Sequence, residues 1–569
     1  MDKENQFFDL IVMADLLMQS KQFEEALRIL DEFQTEGLLK SDTASYYLKK
    51  AVVLFNLDQP DRALEITDKA EHLFLQVFGT SGIGRMHCNI LKSAACLELA
   101  RPRDALEFIR IAEDCIPDRN TVHYLDILLR YVRIFNAIGK QSDAEEYLKK
   151  YMEVYIKLSF FQLATMDVEE RIGILGIMFE FQAFIYNYLR EVTHVSDTLL
   201  KEILDFRVLT KWVLLERIHE GGSLSDLYSR LQDHEAAIEI IRVPEIKKRR
   251  SDNIHYLFFI ITSQNQGRPK LVTHSFSKTK EYDILSFYER SILTKSVDFE
   301  TYTALWSVLE QHLVGIKKIY FSADGIYRSI NPEILRDPEG VYLFDRFEFS
   351  FHHDLRRLFS NNTTNPDTTK TALLVGDISY DDYPLLPASV KELETAKNLL
   401  SPVGYNCTLL TGINATVESI MEYLPSSILH ISSHGFFRKT EDVRSPDSLL
   451  ASSGIILHDS ELCSGDILSH DLTETELVIL SACDSRKSLS LEIGDAFGFE
   501  RTFFLAGARN LLASQWEVED QTAQEILRLF YLSYLVTGNV GTSIRSAKAE
   551  IKKKKKNPYY WGVFMAVQK

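Results

Sequence analysis

The chain has 569 residues, 45% hydrophobic and 25% charged, which is too long for one hydrophobic core and typical of globular proteins. No stretch approaches the ~20 apolar residues that span a bilayer, so no membrane association is expected. Lys+Arg against Asp+Glu is 64 against 81, a net charge of −17, which argues against direct nucleic-acid binding, because neutralising phosphates needs a basic face.

The opening MDKENQFFDL lacks the basic, apolar and small-residue order of an export signal, so a cytoplasmic location is expected. Residues 1–158 carry apolar residues at helical spacing, broken at regular intervals. The segments FEEALRILDEF, PDRALEITDKA, PRDALEFIRIA and QSDAEEYLKKY align on Ala26, Ala63, Ala105 and Ala144, and Ala14, Ala51, Ser93 and Val132 stand twelve positions earlier. A fixed offset between small residues suits two antiparallel helices joined by a tight turn. The pattern resembles the tetratricopeptide repeat, with spacings of 37, 42 and 39 residues against that family's usual ~34.

From 159 to 250 the pattern stays helical, through LLKEILDFRVLTKWVLLERI and GGSLSDLYSRLQDHEAAIEII, and predicts a cap or linker region. The basic runs Lys247–Arg250 and Lys552–Lys556 read as solvated charge or local docking patches. After the first of them come β-rich runs, NIHYLFFIITSQ, KKIYFSA, TALLVGD, SSILHISS, ELVILSA and NLLASQW, separated by helical stretches. That alternation predicts a mostly parallel sheet with helices on both faces. The turn-rich stretch at 359–370 separates a leading part, 251–358, from a second part, 371–569, and is where a processing cut could fall. The predicted fold class is therefore multidomain: an all-α repeat solenoid followed by an α/β domain.

Six cysteines, at 88, 96, 115, 407, 463 and 483, form no CxxC pair, and no His pair has zinc-ligand spacing. With no Gly-rich phosphate loop and no EF-hand pattern either, neither a metal nor a cofactor is expected. ILHISSHG puts His434 just past one predicted strand, and LVILSACDS puts Cys483 just past another. In a parallel sheet both would stand at the edge where ligands bind. An imidazole beside a thiol raises its thiolate fraction or takes its proton during attack. The small residues Gly435 and Ser481 to Cys483 leave room for amides facing an oxyanion. His430 reads as an inward or lateral strand residue, and His352 and His353 fall outside the strand ends that can be placed. Trp516 and Trp561 read as packing residues of the sheet.

In an ordered series of motifs the second half resembles the CHAT domain, grouped with caspases and separase among clan CD cysteine peptidases. The series runs LKEILDFRVL, DGIYRSINPEILRDPEGVYLFDRFEFSF, LPASVKELETAKNLL, HISSHGFF, LSACDS, AFGFERTFFLAGARNLLASQWEVED and PYYWGVFMAVQ. The resemblance implies a caspase-like fold, with 251–358 as its pseudo-caspase-like leading part and 371–569 as its catalytic part. It further implies His434 and Cys483 as catalytic dyad, and the amides of Gly435 and Cys483 as oxyanion hole.

A basic residue before the scissile bond would need a desolvated carboxylate; Asp484, Asp495, Glu517, Glu519 and Asp520 are the candidates. Where the similar separase segment carries its Arg-receiving acid, this chain has Gln524, and a caspase-like acid pocket would instead need Arg486 or Arg501. The expected activity is that of an endopeptidase cleaving a protein substrate, controlled by a regulatory protein bound to the repeats. Resemblance to bacterial CHAT proteins adds defence or cell death as its setting. Two alternatives stay open: a catalytically inactive scaffold, and an acyltransferase or other thiol enzyme using the same dyad.

Overall fold

The repeated small residues are the points at which helices touch. In the computed structural model Ala14, Ala26, Ala51, Ala63, Ser93, Ala105, Val132 and Ala144 are all fully buried. The structure describes every residue except 1–2, 167, 193, 212–223, 246–250, 266–267, 356–357, 359–369, 439–447, 449, 483–488 and 491–495. It divides into two units, residues 1–162 and 163–569.

The first unit is a series of helix pairs: α1 (Lys3–Gln19) with α2 (Phe23–Glu32), α3 (Lys40–Asn56) with α4 (Pro60–Phe78), α5 (Ile83–Glu98) with α6 (Pro102–Asp114), and α7 (Val122–Ile138) with α8 (Gln141–Thr165). Each pair turns on one residue in the left-handed region, Lys21, Asp58, Ala100 and Gly139, with φ of 58°, 62°, 54° and 81°. Each turn also closes with the same bond, from the amides of Gln22, Gln59, Arg101 and Lys140 to the carbonyls of Leu17, Leu54, Cys96 and Phe135, at 2.8, 3.0, 2.8 and 2.8 Å. Only the last turn uses glycine; the other three accept about 1 kcal/mol of strain each. The long spacing from Ala63 to Ala105 is taken up by α4, which has 19 residues. The first helices of the pairs line a groove of about 670 Å³, with Met18, Leu48, Phe55 and Ile90 in its wall beside Lys49 and Arg130.

The second unit is built on one sheet. In chain order its strands are β1 (Glu235–Pro244), β2 (Asn253–Thr262), β3 (Lys270–Ser277), β4 (Lys318–Ser322), β5 (Glu348–His352), β6 (Thr371–Ile378), β7 (Asn406–Gly412) and β8 (Ile428–Ser432). There follow the small strands β9 (Gly435–Phe437), β10 (Ser453–Ile456) and β11 (Glu461–Cys463), then β12 (Leu477–Ser481), the two-residue strands β13 (Leu489–Ser490) and β14 (Ala496–Phe497), β15 (Asn510–Ser514) and β16 (Phe564–Gln568). The large sheet has eleven strands in the order β3-β2-β1-β4-β5-β16-β15-β12-β8-β6-β7. Its pairs are parallel except β1–β2, β2–β3 and β15–β16. The antiparallel pair β15–β16 splits it into two blocks that point in opposite directions: β15, β12, β8, β6 and β7 one way, β16, β5, β4 and β1 the other.

The EAAIEIIRVP segment, expected to be helical, is the strand β1. It is buried along nearly its whole length and paired on both sides, with Ile240 opposite Phe258 of β2 and Ile238 opposite Phe321 of β4. A strand covered on both faces shows no alternation, so tertiary pairing overrides the local pattern. The leading part 251–358 is likewise continuous with 371–569 through the β5–β16 pair, and the stretch at 359–369 lies outside the described residues.

Helix Asp197–Thr210 docks by buried charge. Arg207 reaches Glu239 at 3.2 Å and Asp324 at 3.1 Å, and Lys211 reaches Glu239 and the Ser322 hydroxyl at 2.6 Å each. Burial pushes the Lys211 pKa down, against the pull of Glu239; removing either acid would leave an uncompensated buried cation. The basic run near the C-terminus is neutralised locally: Lys552 pairs with Asp345, Lys553 with Glu550 and Lys555 with Glu519. The run Lys247–Arg250 lies outside the described residues. Trp561 is fully buried, and Trp516 donates from Nε1 to Tyr559 O at 3.0 Å; both pack the sheet. No described helix is long and apolar enough to cross a membrane.

Candidate active site

The apolar runs ILHIS and LVILS form neighbouring parallel strands because both faces of this block are covered. β8 and β12 pair in register from Ile428–Leu477 to Ser432–Ser481, and the amide of Ser433 still reaches Ser481 O at 3.3 Å. His434 comes next, as the chain leaves the large sheet. Its own carbonyl accepts from Ile456 N at 2.8 Å, and Gly435 opens β9 opposite Ile455 of β10. Gly454 allows this small sheet to close, because a Cβ there would stand 2.2 Å from Leu462 O.

The His434 side chain is half-buried, and its Nε2 lies 2.7 Å from Pro384 O. A carbonyl only accepts, so Nε2 carries the hydrogen and the neutral ring keeps its lone pair on Nδ1. The rings of Tyr380 and Tyr383 stand 5.0 and 5.5 Å from the imidazole, centroid to centroid. Ser433 Oγ lies 2.5 Å from Ile456 O and 2.9 Å from the Tyr380 hydroxyl. The serine therefore donates to the carbonyl and accepts from the tyrosine. Burial raises the Tyr380 pKa and keeps that phenol a donor. His458 Nδ1 donates to Ser379 O at 2.6 Å, so the 379–386 segment is tied down on both sides of the imidazole before Pro387 starts the next helix.

Beneath this edge lies a buried polar chain. His430 takes the first of the two orientations expected for it: fully buried and pointing inward, it bonds through Nδ1 to the Tyr531 hydroxyl at 2.9 Å and through Nε2 to Glu392 Oε1 at 2.7 Å. The phenol, its pKa pushed up by burial, donates to Nδ1, so Nε2–H donates to the carboxylate. The other oxygen of Glu392 accepts from Ser481 Oγ at 3.3 Å. On the far side of β12, Ser514 Oγ donates to Ala482 O at 2.9 Å.

Of the other expected site residues, Cys483, Asp484, Arg486 and Asp495 lie outside the described residues. Asp520 is exposed at the start of helix Asp520–Thr537, with half-buried Gln524 one turn along it. Glu517 is exposed, and Glu519 is held by Lys555 at 2.7 Å. Arg501 is corrected as a pocket cation. It is buried on helix Phe499–Ala506, which feeds the amino end of β15, so it sits at the opposite edge of the sheet. There it shares a small cavity with His352 and His353.

Those two histidines are corrected as well, because they do stand at a strand end, that of β5. β5 runs opposite to β8, however, and their edge is not that of His434. Burial pushes His352 down to about 4 and, with Arg501 and Arg328 nearby, lowers His353 far below the usual range. Burial also pushes Cys88 up to about 12, and Cys463, with Asp466 beside it, up to about 11; neither is a ready thiolate at neutral pH.

Sequence reasoning missed Pro384, Tyr380, Glu392 and Ser514. The proline acts through its backbone oxygen, which leaves no side-chain signature. The others lie in motifs that read as loop, helix or strand.

Residues 300–569 match the CHAT domain model. That match excludes β1 to β3 and helix Asp197–Thr210, which nonetheless belong to the same unit. No curated protein matches the chain. Among solved structures it is similar to the separase–securin complex of Saccharomyces cerevisiae, at 10% identity and TM-score 0.42, over 99% of this chain and 56% of that one. It is similar to the Arg-specific cysteine proteinase gingipain R at 12% identity and TM-score 0.32, over 51% and 75%. It is also similar to TPR-like repeats of a Podosopora anserina kinesin light chain at 15% identity and TM-score 0.29, over 37% and 99%.

Proposed function

We propose that this CHAT-domain chain is a cysteine endopeptidase with Cys483 as nucleophile and His434 as general base. The observation that carries the reading is the rung between Ser432 and Ser481. In sequence, His434 and Cys483 each follow two residues after that rung, which joins neighbouring parallel strands whose axes lie ~4.8 Å apart. Pro384 O fixes the tautomer of His434 that keeps Nδ1 free to take a proton. In the reaction the thiol proton passes to Nδ1 and sulfur attacks the scissile carbonyl carbon. The amides of Gly435 and Cys483 receive the oxyanion. The intermediate collapses, the amine leaves with the proton held by His434, and water then hydrolyses the thioester.

Asp484, Asp520 and Gln524 are the residues proposed to select the side chain before the cut. The groove along α1, α3, α5 and α7, apolar with Lys49, Asp126 and Arg130 in its wall, supports control by a protein bound to the repeats. Bacterial defence or cell-death signalling in the cytoplasm is the setting proposed.

The test is mass spectrometry of new peptide ends in a proteome incubated with the full chain and with Cys483→Ala, with and without proteins encoded by neighbouring genes. Ends that depend on Cys483 are expected, and they would reveal the residue preferred before the cut. If no such ends appear under any condition and the thiol resists an electrophilic peptide probe, the domain is a docking scaffold. A covalent adduct without peptide cleavage would instead mark an acyltransferase.

A further inference from the structure

The strand that follows His434 has one edge in use and one open. β9 pairs with β10 and is the outermost strand of the small sheet, in the order β11-β10-β9. In that antiparallel ladder Gly435 faces Ile455, Phe436 faces Gly454 and Phe437 faces Ser453. The bonds that bracket it run from Ile456 N to His434 O at 2.8 Å and from Arg438 N to Ser452 O at 2.7 Å. Residues 434, 436 and 438 thus hold the hydrogen-bonded positions. Those alternate with non-bonded ones, so the amides and carbonyls of Gly435 and Phe437 point away from β10. No described strand pairs with that outer edge, and no described backbone group outside the small sheet bonds to these four groups. The edge is held in place from behind. Arg438 forks onto Glu461 of β11, with one of its two bonds at 2.7 Å, and its guanidinium lies 4.4 Å from the centre of the Phe436 ring.

An open strand edge is a template for an extended chain, and this one begins at the amide proposed to receive the oxyanion. The direction of that chain follows from the surroundings of His434. The imidazole must meet the leaving amine, so the residues after the cut emerge beside it. Behind it, the amide of Ser433 is spent on Ser481 O, and β8 is paired with both β12 and β6. A chain running back that way finds no free backbone group. Ahead lies the outer edge of β9. A chain running in the same direction as β9 forms a parallel ladder, in which one residue bonds to the two that flank its opposite number. With the scissile carbonyl on the Gly435 amide, that residue is the second after the cut.

We infer that β9 is the docking strand for the chain beyond the scissile bond: the second residue after the cut donates its N–H to Gly435 O and accepts at its carbonyl from Phe437 N. The inference rests on the peptidase reading and on the oxyanion role of the Gly435 amide. It adds a subsite that reads main chain instead of side chain, so it demands an extended segment and excludes proline at that one position.

The probe is a short proline-free peptide spanning the strongest Cys483-dependent cut of the proteome experiment, incubated with the full chain under the condition that gave that cut. N-methylation of one amide at a time removes one donor. At the second residue after the cut it is expected to lower kcat/KM about tenfold. At the third, whose N–H points the other way, the loss should stay within about threefold. Phe437→Pro removes an N–H that the ladder with β10 does not use, a change that an edge strand accommodates. This variant should cut the unmodified peptide about fivefold more slowly. The methylation penalty at the second residue should then shrink to within about threefold, because both changes weaken the same docked strand.

Equal penalties at both positions, no penalty at either, or a penalty confined to residues before the cut would overturn the inference. So would a Phe437→Pro chain that cuts slowly with its methylation penalty unchanged, the mark of a general loss of local structure. Should that variant fail to fold, as thermal unfolding would show, the methylation series on the unsubstituted chain decides alone. If the unsubstituted chain yields no Cys483-dependent peptide ends, the peptidase reading falls first and this inference falls with it.

Discussion

Two strands of the same sheet end in histidine, and their surroundings make them opposites. β5 closes with His352 and His353 at the edge to which the β1, β4 and β5 block points, and β8 is followed by His434 at the other edge. His352 and His353 are sealed, one with Ser350 Oγ 2.8 Å from its Nε2 and the other stacked 4.8 Å from the ring of Phe504. Burial holds both uncharged at neutral pH. His434 is half-open, flanked by two tyrosines and anchored by a backbone oxygen. A strand-end histidine is thus a candidate site only where the sheet edge stays accessible and one ring nitrogen is left for chemistry. The cavity at the β5 edge is only about 30 Å³, room for a water or two and no peptide.

Exchanging the two kinds of histidine for inert residues tests this contrast most severely. If His434 and Cys483 are the pair proposed, His434→Ala is expected to lower Cys483-dependent cleavage by at least about 10³-fold, since members of a catalytic pair fail together, and to leave the melting temperature within about 2 °C. His352→Gln should do the reverse, with cleavage kept within about twofold and stability altered. Cleavage rates and thermal unfolding of both variants decide it. A comparable loss of activity in His352→Gln would end the distinction between the two edges.

Much of this contrast was legible beforehand, and what was not has physical causes. The six apolar runs predicted as strands became β2, β4, β6, β8, β12 and β15, because strands of a covered parallel block are continuous apolar runs. β7 (NCTLLTG), an edge strand with polar residues, and β5 (EFSFH), in which polar residues interrupt the apolar ones, carry no such signal. The fusion of the two blocks through β16, the last strand of the chain, is a long-range pairing that no local pattern encodes. His434 was readable because it follows a strand and precedes glycine. The opposite pointing of β5 was not, since strand direction depends on topology. Arg501 was misplaced for the same reason: helix Phe499–Ala506 enters β15 from the far edge.

The sealed edge should also be the acid-labile one. His352 sits at about 4 when folded, through burial, with Asp354 pulling it up and Lys318 pushing it down. In the unfolded chain an imidazole titrates near ~6.5. Below that pH the unfolded chain takes up a proton that the folded state refuses. The stability this group contributes is therefore complete above pH ~6.5 and is lost as pH falls toward ~4, by about 3 kcal/mol at the limit. His353 acts in the same direction. Thermal unfolding between pH 7 and 4.5 should show a shallower decline for His352→Gln than for the parent chain. Identical slopes would mean that the cavity at this edge admits the charged ring.

The smallest expected effect concerns how firmly the open edge is held. Tyr380 ties the 379–386 segment to the chain beside His434 through a single donor bond to Ser433 Oγ, 2.9 Å long. The Tyr380→Phe substitution removes that hydroxyl but keeps the ring against the imidazole. Ser433 still donates to Ile456 O, and Nε2 of His434 still donates to Pro384 O. The bond to Ser433 is lost, worth about 1 kcal/mol for a neutral bond, and with it the backbone hydrogen bond between the phenol oxygen and His434, so cleavage should slow at least about fivefold through kcat, with KM little changed. A fall as deep as that of His434→Ala would place the phenol itself in the chemistry. No fall at all would mean that Pro384 and the His458 bond to Ser379 O suffice to hold the imidazole, and that the open edge is as firmly set as the sealed one.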